Sequence, residues 1–152
     1  TLRNIPDTYR IKEYIEEKKP ARAVIVGGGY IGVEMAENLK QAGLDVTIVE
    51  LADHLIAPLD FDMAADVHRY IKSQGISLAL SNGITGIKES ESSLTVELNH
   101  GSVETDMVIT LSNRYGVSEN SAKDIINMVS RMCSTRGAAI MWIDDYINNH
   151  EL

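Results

Sequence analysis

The sequence predicts an α/β fold, a doubly wound parallel sheet with an antiparallel β-meander, followed by a C-terminal helical tail. Three observations carry that expectation. Two continuous apolar runs, "ARAVIVG" and "DVTIVE", have strand length, and such runs suit parallel strands buried on both faces. Between them "YIGVEMAENLKQAG" has helical periodicity, the crossover that a parallel pair needs. Beyond Ser81 the helical pattern gives way to short strands separated by polar turns.

Each element follows in turn. "PDTYRIKEYIEEKK" places Ile11, Tyr14 and Ile15 at helical spacing, with Pro6 and Asp7 at its start and lysines at its end, as the helix dipole prefers. After the first strand, the crossover helix carries Ile31, Met35, Ala36 and Leu39 on one face and stops at Gly43. "DFDMAADVHRYIKSQG" predicts another helix, with Met63, Val67, Tyr70 and Ile71 inward and Gly75 as its stop. "ISLAL" is a third strand. Residues 83–110 then read as two strands of mixed character, a polar hairpin around Glu89 to Ser93, a turn at "NHG" and a last apolar strand, "DMVIT".

Composition bounds what the chain can do. Its 152 residues fit about one domain, and 44% apolar residues are enough for a core. A formal charge of −8 with no basic cluster repels phosphate backbones and anionic membranes, so neither nucleic acid nor membrane is an expected partner. The one cysteine, Cys133, excludes an internal disulfide or a CxxC pair and suits a reducing cytoplasm. No stretch reaches the roughly 18 apolar residues of a membrane span, and no signal-peptide pattern opens the chain. The start at Thr1, without an initiator methionine, suggests a piece of something longer. His68 and His100 lack a partner at metal-ligand spacing and read as surface groups; no metal site is expected.

The chemistry-bearing motif is "GGGYIG". Gly27, Gly29 and Gly32 fit GxGxxG at the junction of strand and helix. Gly27 permits the sharp turn, Gly29 lets the backbone approach a pyrophosphate, and Gly32 lets the helix pack close on the strand. Exposed amides and the positive helix end would then face the ligand's charge. Eighteen residues after Gly32, Glu50 ends the next strand, where a carboxylate can accept both ribose hydroxyls of an adenosine. A 2′-phosphate would meet like charge there, and "ELADHLIAP" supplies no arginine, only His54; NADH is therefore favoured over NADPH. FAD uses the same fingerprint and stays open on these grounds alone. Glu34 lies on the first turn of the crossover helix, where an acid complements the dipole or serves the cofactor.

The segments "TLRNIPDTYRIKEYI", "AVIVGGGYIGVEMAENLKQAGLDVTIVE", "PLDFDMA" and "DMVIT" together closely resemble the NAD-binding domain of flavoprotein pyridine nucleotide-disulfide oxidoreductases, nearest to the coenzyme A-disulfide reductase and NADH oxidase branch. The resemblance covers about residues 1–110 and implies a Rossmann-like domain that carries NAD(P)H to a flavin. It implies that Gly27, Gly28, Gly29, Tyr30, Ile31 and Gly32 hold the pyrophosphate, that Glu50 holds the adenosine ribose, and that Glu34 orients the nicotinamide. It also implies that FAD belongs only to the full-length parent enzyme. An FAD fold, a redox cysteine motif and an interface domain are not found in these 152 residues, so the isolated chain is expected to bind NAD(H) without turning it over. No catalytic residue is assigned.

At Thr110 the resemblance breaks off. Residues 111–152 read as an αα-hairpin tail: Ser118 is an N-cap, Ala122, Ile125, Ile126, Val129 and Met132 form one stripe, and Ala139, Ile140, Ile143, Tyr146 and Ile147 form a second face. Such a tail covers a sheet edge or pairs with a second copy in a homodimer. Cys133, near Arg131 and Arg136, reads as a structural or incidental thiol. The alternative function is a nucleotide-sensing regulatory module, with "LSNRYGVSENSAKDII" contacting a protein or DNA partner.

Overall fold

The computed structural model describes Leu2, residues 5–90 and residues 93–111. The expected αα-hairpin tail lies outside the described residues, apart from Leu111 at its start, as does Cys133. In chain order the elements are α1 (Ile5–Lys18), β1 (Arg22–Val26), α2 (Tyr30–Gln41), β2 (Asp45–Val49), α3 (Phe61–Ser73), β3 (Ser77–Ala79), β4 (Ile84–Glu89), β5 (Leu94–Leu98), β6 (Ser102–Thr105) and β7 (Met107–Thr110).

Four strands form a parallel sheet in the order β3-β2-β1-β7, and β4-β5-β6 form an antiparallel sheet. This is the Rossmann-like α/β arrangement that the apolar runs and the crossover helix predict. Strand alternation divides the core in two. Ala23, Ile25, Val46, Ile48, Met107 and Ile109 point to one face and pack against all three helices; Val24 and Val49 point to the other and pack against Val96 and Leu98 of the antiparallel sheet. Both faces of the parallel sheet are therefore covered, which is why its strands are mostly apolar, with polar residues chiefly at their ends. The meander occupies the second face, where a doubly wound sheet would ordinarily carry helices.

Helices α1 and α3 bury narrower stripes than their apolar residues propose, whereas α2 buries every residue from Gly32 to Leu39. In α1, Ile11 and Ile15 pack on the core, while Tyr14 stays 39% exposed and donates its hydroxyl to the Asp106 carbonyl at 3.2 Å. In α3 the buried line runs through Ala64, Val67 and Ile71, leaving Met63 at 47% and Tyr70 at 39% exposure. Met63 and Tyr70 sit one position off that line, about 100° around the helix. The expectation that Met63 faces inward is corrected accordingly, while Tyr70 lies at the margin, its hydroxyl bonded to the buried Glu37 of α2.

Register positions the site. Val26 lies opposite Val49 on one side and Thr110 on the other, and Val49 lies opposite Ala79. The residues that leave these strands, Gly27, Glu50 and Leu111, thus emerge together at the carboxyl edge of the sheet. Between β1 and β7 the chain direction of winding reverses, which is where open α/β sheets leave a crevice for ligands.

Candidate functional site at the carboxyl edge of the sheet

The glycine loop joins β1 to α2, and its four glycines have different structural reasons. Gly27 has φ +112°, a conformation that strains any residue with a Cβ. A Cβ on Gly28 would overlap the Leu55 side chain and crowd Glu50, and a Cβ on Gly32 would overlap the Gly27 carbonyl. Gly29 differs from these three. Its φ of −75° and ψ of −175° suit any residue, and among the described residues a Cβ there meets nothing within 4 Å. As the N-cap of α2 it stands where a helix start concentrates positive charge. Backbone conformation accounts for Gly27 and packing for Gly28 and Gly32, which leaves Gly29, among the described residues, facing open space at an anion-attracting helix end. Tyr30, Ile31 and Gly32 form the first turn behind it.

Glu50 stands beside this loop, as register requires. One carboxylate oxygen accepts the Gly28 amide at 2.6 Å and the other accepts the Ala52 amide at 2.8 Å. Its own backbone is tied to the next strand and loop, its amide donating to the Ala79 carbonyl at 3.0 Å and its carbonyl accepting from Asn82 at 2.9 Å. The acid is held by its neighbours with no ligand present. Glu34 lies beyond the first turn of α2, which corrects the expectation that it stands on that turn, and it is only 3% exposed. Its carboxylate accepts from the Asn38 side chain at 3.3 Å, and the same amide group donates to the Glu34 carbonyl at 2.7 Å. Gly27 to Gly32 and Glu50 are thus brought together at one edge, with Glu34 about one helical turn behind.

Residues that sequence reasoning passed over complete the edge. The loop after β2 folds back so that the Ile56 amide donates to the Gly28 carbonyl at 2.8 Å and Leu55 is wholly buried. His68, read as a surface group, is half-buried in α3, and its Nε2 accepts the Leu55 amide at 2.9 Å; that reading is corrected. Burial is the largest influence holding its pKa below the usual 6.5, helped by the charges of Lys72 and His54 and opposed by Asp53. Asn82 clamps the turn at His100, donating to its carbonyl at 3.1 Å and accepting its amide at 3.0 Å. The apolar pair Leu55–Ile56 inside a polar loop was the one available signal for this segment; His68 offered none.

His54 pairs with Asp53 at 2.6 Å, and that bond raises the imidazole and lowers the carboxyl. The pair brings no net positive charge to the loop. Among the described residues no cluster of three or more potential metal ligands occurs, and no helix is long and apolar enough to cross a membrane.

Known proteins are similar to this chain in sequence and fold. Residues 1–123 match the pyridine nucleotide-disulphide oxidoreductase family, a span that runs past Thr110. An NADH oxidase of Methanocaldococcus jannaschii is 39% identical over 109 residues, 71% of this chain and 24% of that protein. A coenzyme A disulfide reductase of Staphylococcus epidermidis is 34% identical over 110 residues, 72% of this chain and 24% of that protein. Among solved structures, reduced Bacillus anthracis CoADR-RHD superposes with a TM-score of 0.71 at 38% identity, covering 91% of this chain and 23% of that one. The water-forming NADH oxidase from Lactobacillus brevis bound to NADH gives 0.68 at 26% identity, covering 80% of this chain and 27% of that one. The chain spans about a quarter of the length of the curated relatives it matches.

Proposed function

The chain belongs to the pyridine nucleotide-disulphide oxidoreductase family, and on that premise we propose that residues 1–110 form an NAD(H)-binding domain. The observation that carries the reading is Gly29, a glycine that nothing among the described residues requires, at the N-terminus of α2 and facing open space there. A pyrophosphate there would take the positive helix end. Gly27, Gly28, Tyr30, Ile31 and Gly32 would shape that cradle, Glu50 would accept the adenosine ribose hydroxyls, and Glu34 would face the nicotinamide end. The solved relative bound to NADH supports the choice of ligand.

The nicotinamide, when bound, supplies a hydride, and in the parent enzyme a flavin would receive it. The chain's own residues would bind and orient the dinucleotide, with no group among those assigned to accept a hydride. The isolated chain is therefore a binding module, cytoplasmic by its cysteine usage, with residues 111–152 pairing two copies. The matched relatives are oxidoreductases, which favours this reading over the regulatory alternative.

Calorimetric titration of the purified chain with NADH, NADPH and FAD tests the proposal. Saturable NADH binding, weaker NADPH binding and no FAD binding are expected. FAD binding with no response to NADH would overturn the assignment, and NADH oxidation without added flavin would overturn the non-catalytic part.

A further inference from the structure

We propose that His68 is a positioning residue for the dinucleotide site, holding the Leu55–Ile56 segment against Gly28 only while its ring is neutral; this rests on the NAD(H)-binding reading. The argument begins with one hydrogen bond. The Leu55 amide donates to His68 Nε2 at 2.9 Å. A backbone N–H can only donate, so Nε2 carries no proton and the ring is the neutral tautomer with its proton on Nδ1.

What that bond holds lies against the glycine loop. The Leu55 side chain is completely buried and fills the space that a Cβ on Gly28 would need. The next amide, Ile56, donates to the Gly28 carbonyl at 2.8 Å, while the Gly28 amide donates to Glu50 at 2.6 Å. The peptide units on both sides of the Gly28 Cα are therefore fixed, one by Glu50 and the other by the 55–56 segment. His68, from α3, holds that segment on its far side.

Protonation would reverse the contact. An imidazolium has a donor at both nitrogens, so Nε2–H would point at the Leu55 N–H with no acceptor between them. The charged groups facing the ring are Asp53 and His54 from the loop and Lys72 from its own helix. Burial first, then Lys72 and His54, keep the ring neutral at pH 7, and Asp53 alone favours the charge. Because the folded state resists protonation more than the unfolded chain, the strap is complete above the ordinary value of 6.5 and is lost as pH falls through the lowered one.

The test is NADH titration of the wild-type chain, His68→Gln and His68→Leu at about pH 8 and about pH 5.5, either side of the imidazole range. Glutamine accepts from the Leu55 amide at both pH values; leucine accepts at neither. Wild-type affinity is expected to fall about two- to tenfold on acidification, the worth of one hydrogen bond. His68→Gln should lose that fall, and His68→Leu should be weak throughout. A His68→Gln variant that follows the wild-type pH profile overturns the proposal. Hydrogen exchange of the Leu55 amide provides a readout independent of ligand: protection should survive in His68→Gln and disappear in His68→Leu. Equal protection in His68→Leu overturns the strap itself. Absence of NADH binding to the wild type at about pH 8 overturns the binding reading and, with it, the affinity effect, while leaving the exchange result to judge the strap.

Discussion

Replacing Gly29 by aspartate should stabilise the free chain and abolish dinucleotide binding, a combination that separates a ligand-facing glycine from a structural one. Three contributions favour the variant's fold. Gly29 already has φ −75° and ψ −175°, so a side chain costs no strain and restricts the unfolded state, worth about 0.4–1 kcal/mol. Aspartate is a better N-cap than glycine by a few tenths of a kcal/mol. Its charge at the start of α2 adds about 0.3–1 kcal/mol through the helix dipole. Among the described residues nothing within 4 Å of a Cβ opposes it sterically, so the sum is about 1–2 kcal/mol, a rise in Tm of about 3–6 °C for a chain of this size. Binding should move the other way. The carboxylate would occupy the pyrophosphate position, take the helix-end amides for itself and repel the ligand's charge. Losing two charge-assisted hydrogen bonds costs about 3 kcal/mol or more, an affinity loss of about 100-fold at least. Thermal unfolding and calorimetry read the two effects on one sample. Gly32→Ala is the contrasting control, because its Cβ would strike the Gly27 carbonyl and should lower Tm outright. A Gly29→Asp variant that unfolds earlier, or that binds NADH as the wild type does, would refute the reasoning.

Glu50→Ala should cost the fold as well as the ligand, since the Gly28 and Ala52 amides both lose their acceptor. Leaving such groups unsatisfied costs about 1–3 kcal/mol, readable as a lower urea midpoint, and Glu50→Gln should lose less because its one oxygen still accepts. Glu37→Gln should stabilise the chain at about pH 8 and make no difference at about pH 4. Burial raises the Glu37 carboxyl above its usual 4.5, and burial first, then its bond to Glu37, pushes the Tyr70 hydroxyl up to about 12. A group raised in the folded state contributes stability below its unfolded value and loses it as pH rises, so the neutral amide gains only on the alkaline side. A stabilisation independent of pH in thermal unfolding would exclude buried charge as the cause.

How much was legible in the sequence differs by the range of the interaction concerned. The pairing of Val26 with Val49 could be anticipated because both strands end their apolar runs together, which puts Gly27 and Glu50 side by side without any knowledge of packing. Gly29 could be picked out by its motif. That Gly28 is needed for a different reason could not, because the obstacle is Leu55, a loop residue 27 positions away that reaches it only after β2 has paired with β1. The α3 face was misjudged for a related cause: Ala64 is small enough to be overlooked, yet it lies on the buried line, while the larger Met63 stands beside it at 47% exposure and Tyr70 keeps its ring partly exposed with its hydroxyl on Glu37. His68 illustrates the limit most plainly, since a single acceptor nitrogen aimed at one loop amide leaves no periodicity or spacing to read.

The geometry around Glu50 bears on nucleotide choice in a way that spacing alone could not show. Both carboxylate oxygens are oriented by backbone amides before any ligand arrives, so binding need not order this side chain, and preorganisation of that kind raises affinity without new contacts. Each oxygen keeps a further lone pair, which on the proposed reading suits two ribose hydroxyls. A 2′-phosphate offers negative charge in place of a donor, and the nearest base in the loop, His54, is already neutralised by Asp53 at 2.6 Å. Relief of that repulsion would require either breaking the His54–Asp53 pair or turning Glu50 away from Gly28, and the second move would free the amide that anchors the glycine loop. On the proposed reading, a preference for NADH would follow from the same hydrogen bonds that hold the loop in shape, and a substitution that admits NADPH at Glu50 should loosen the loop unless it replaces the acceptor for Gly28.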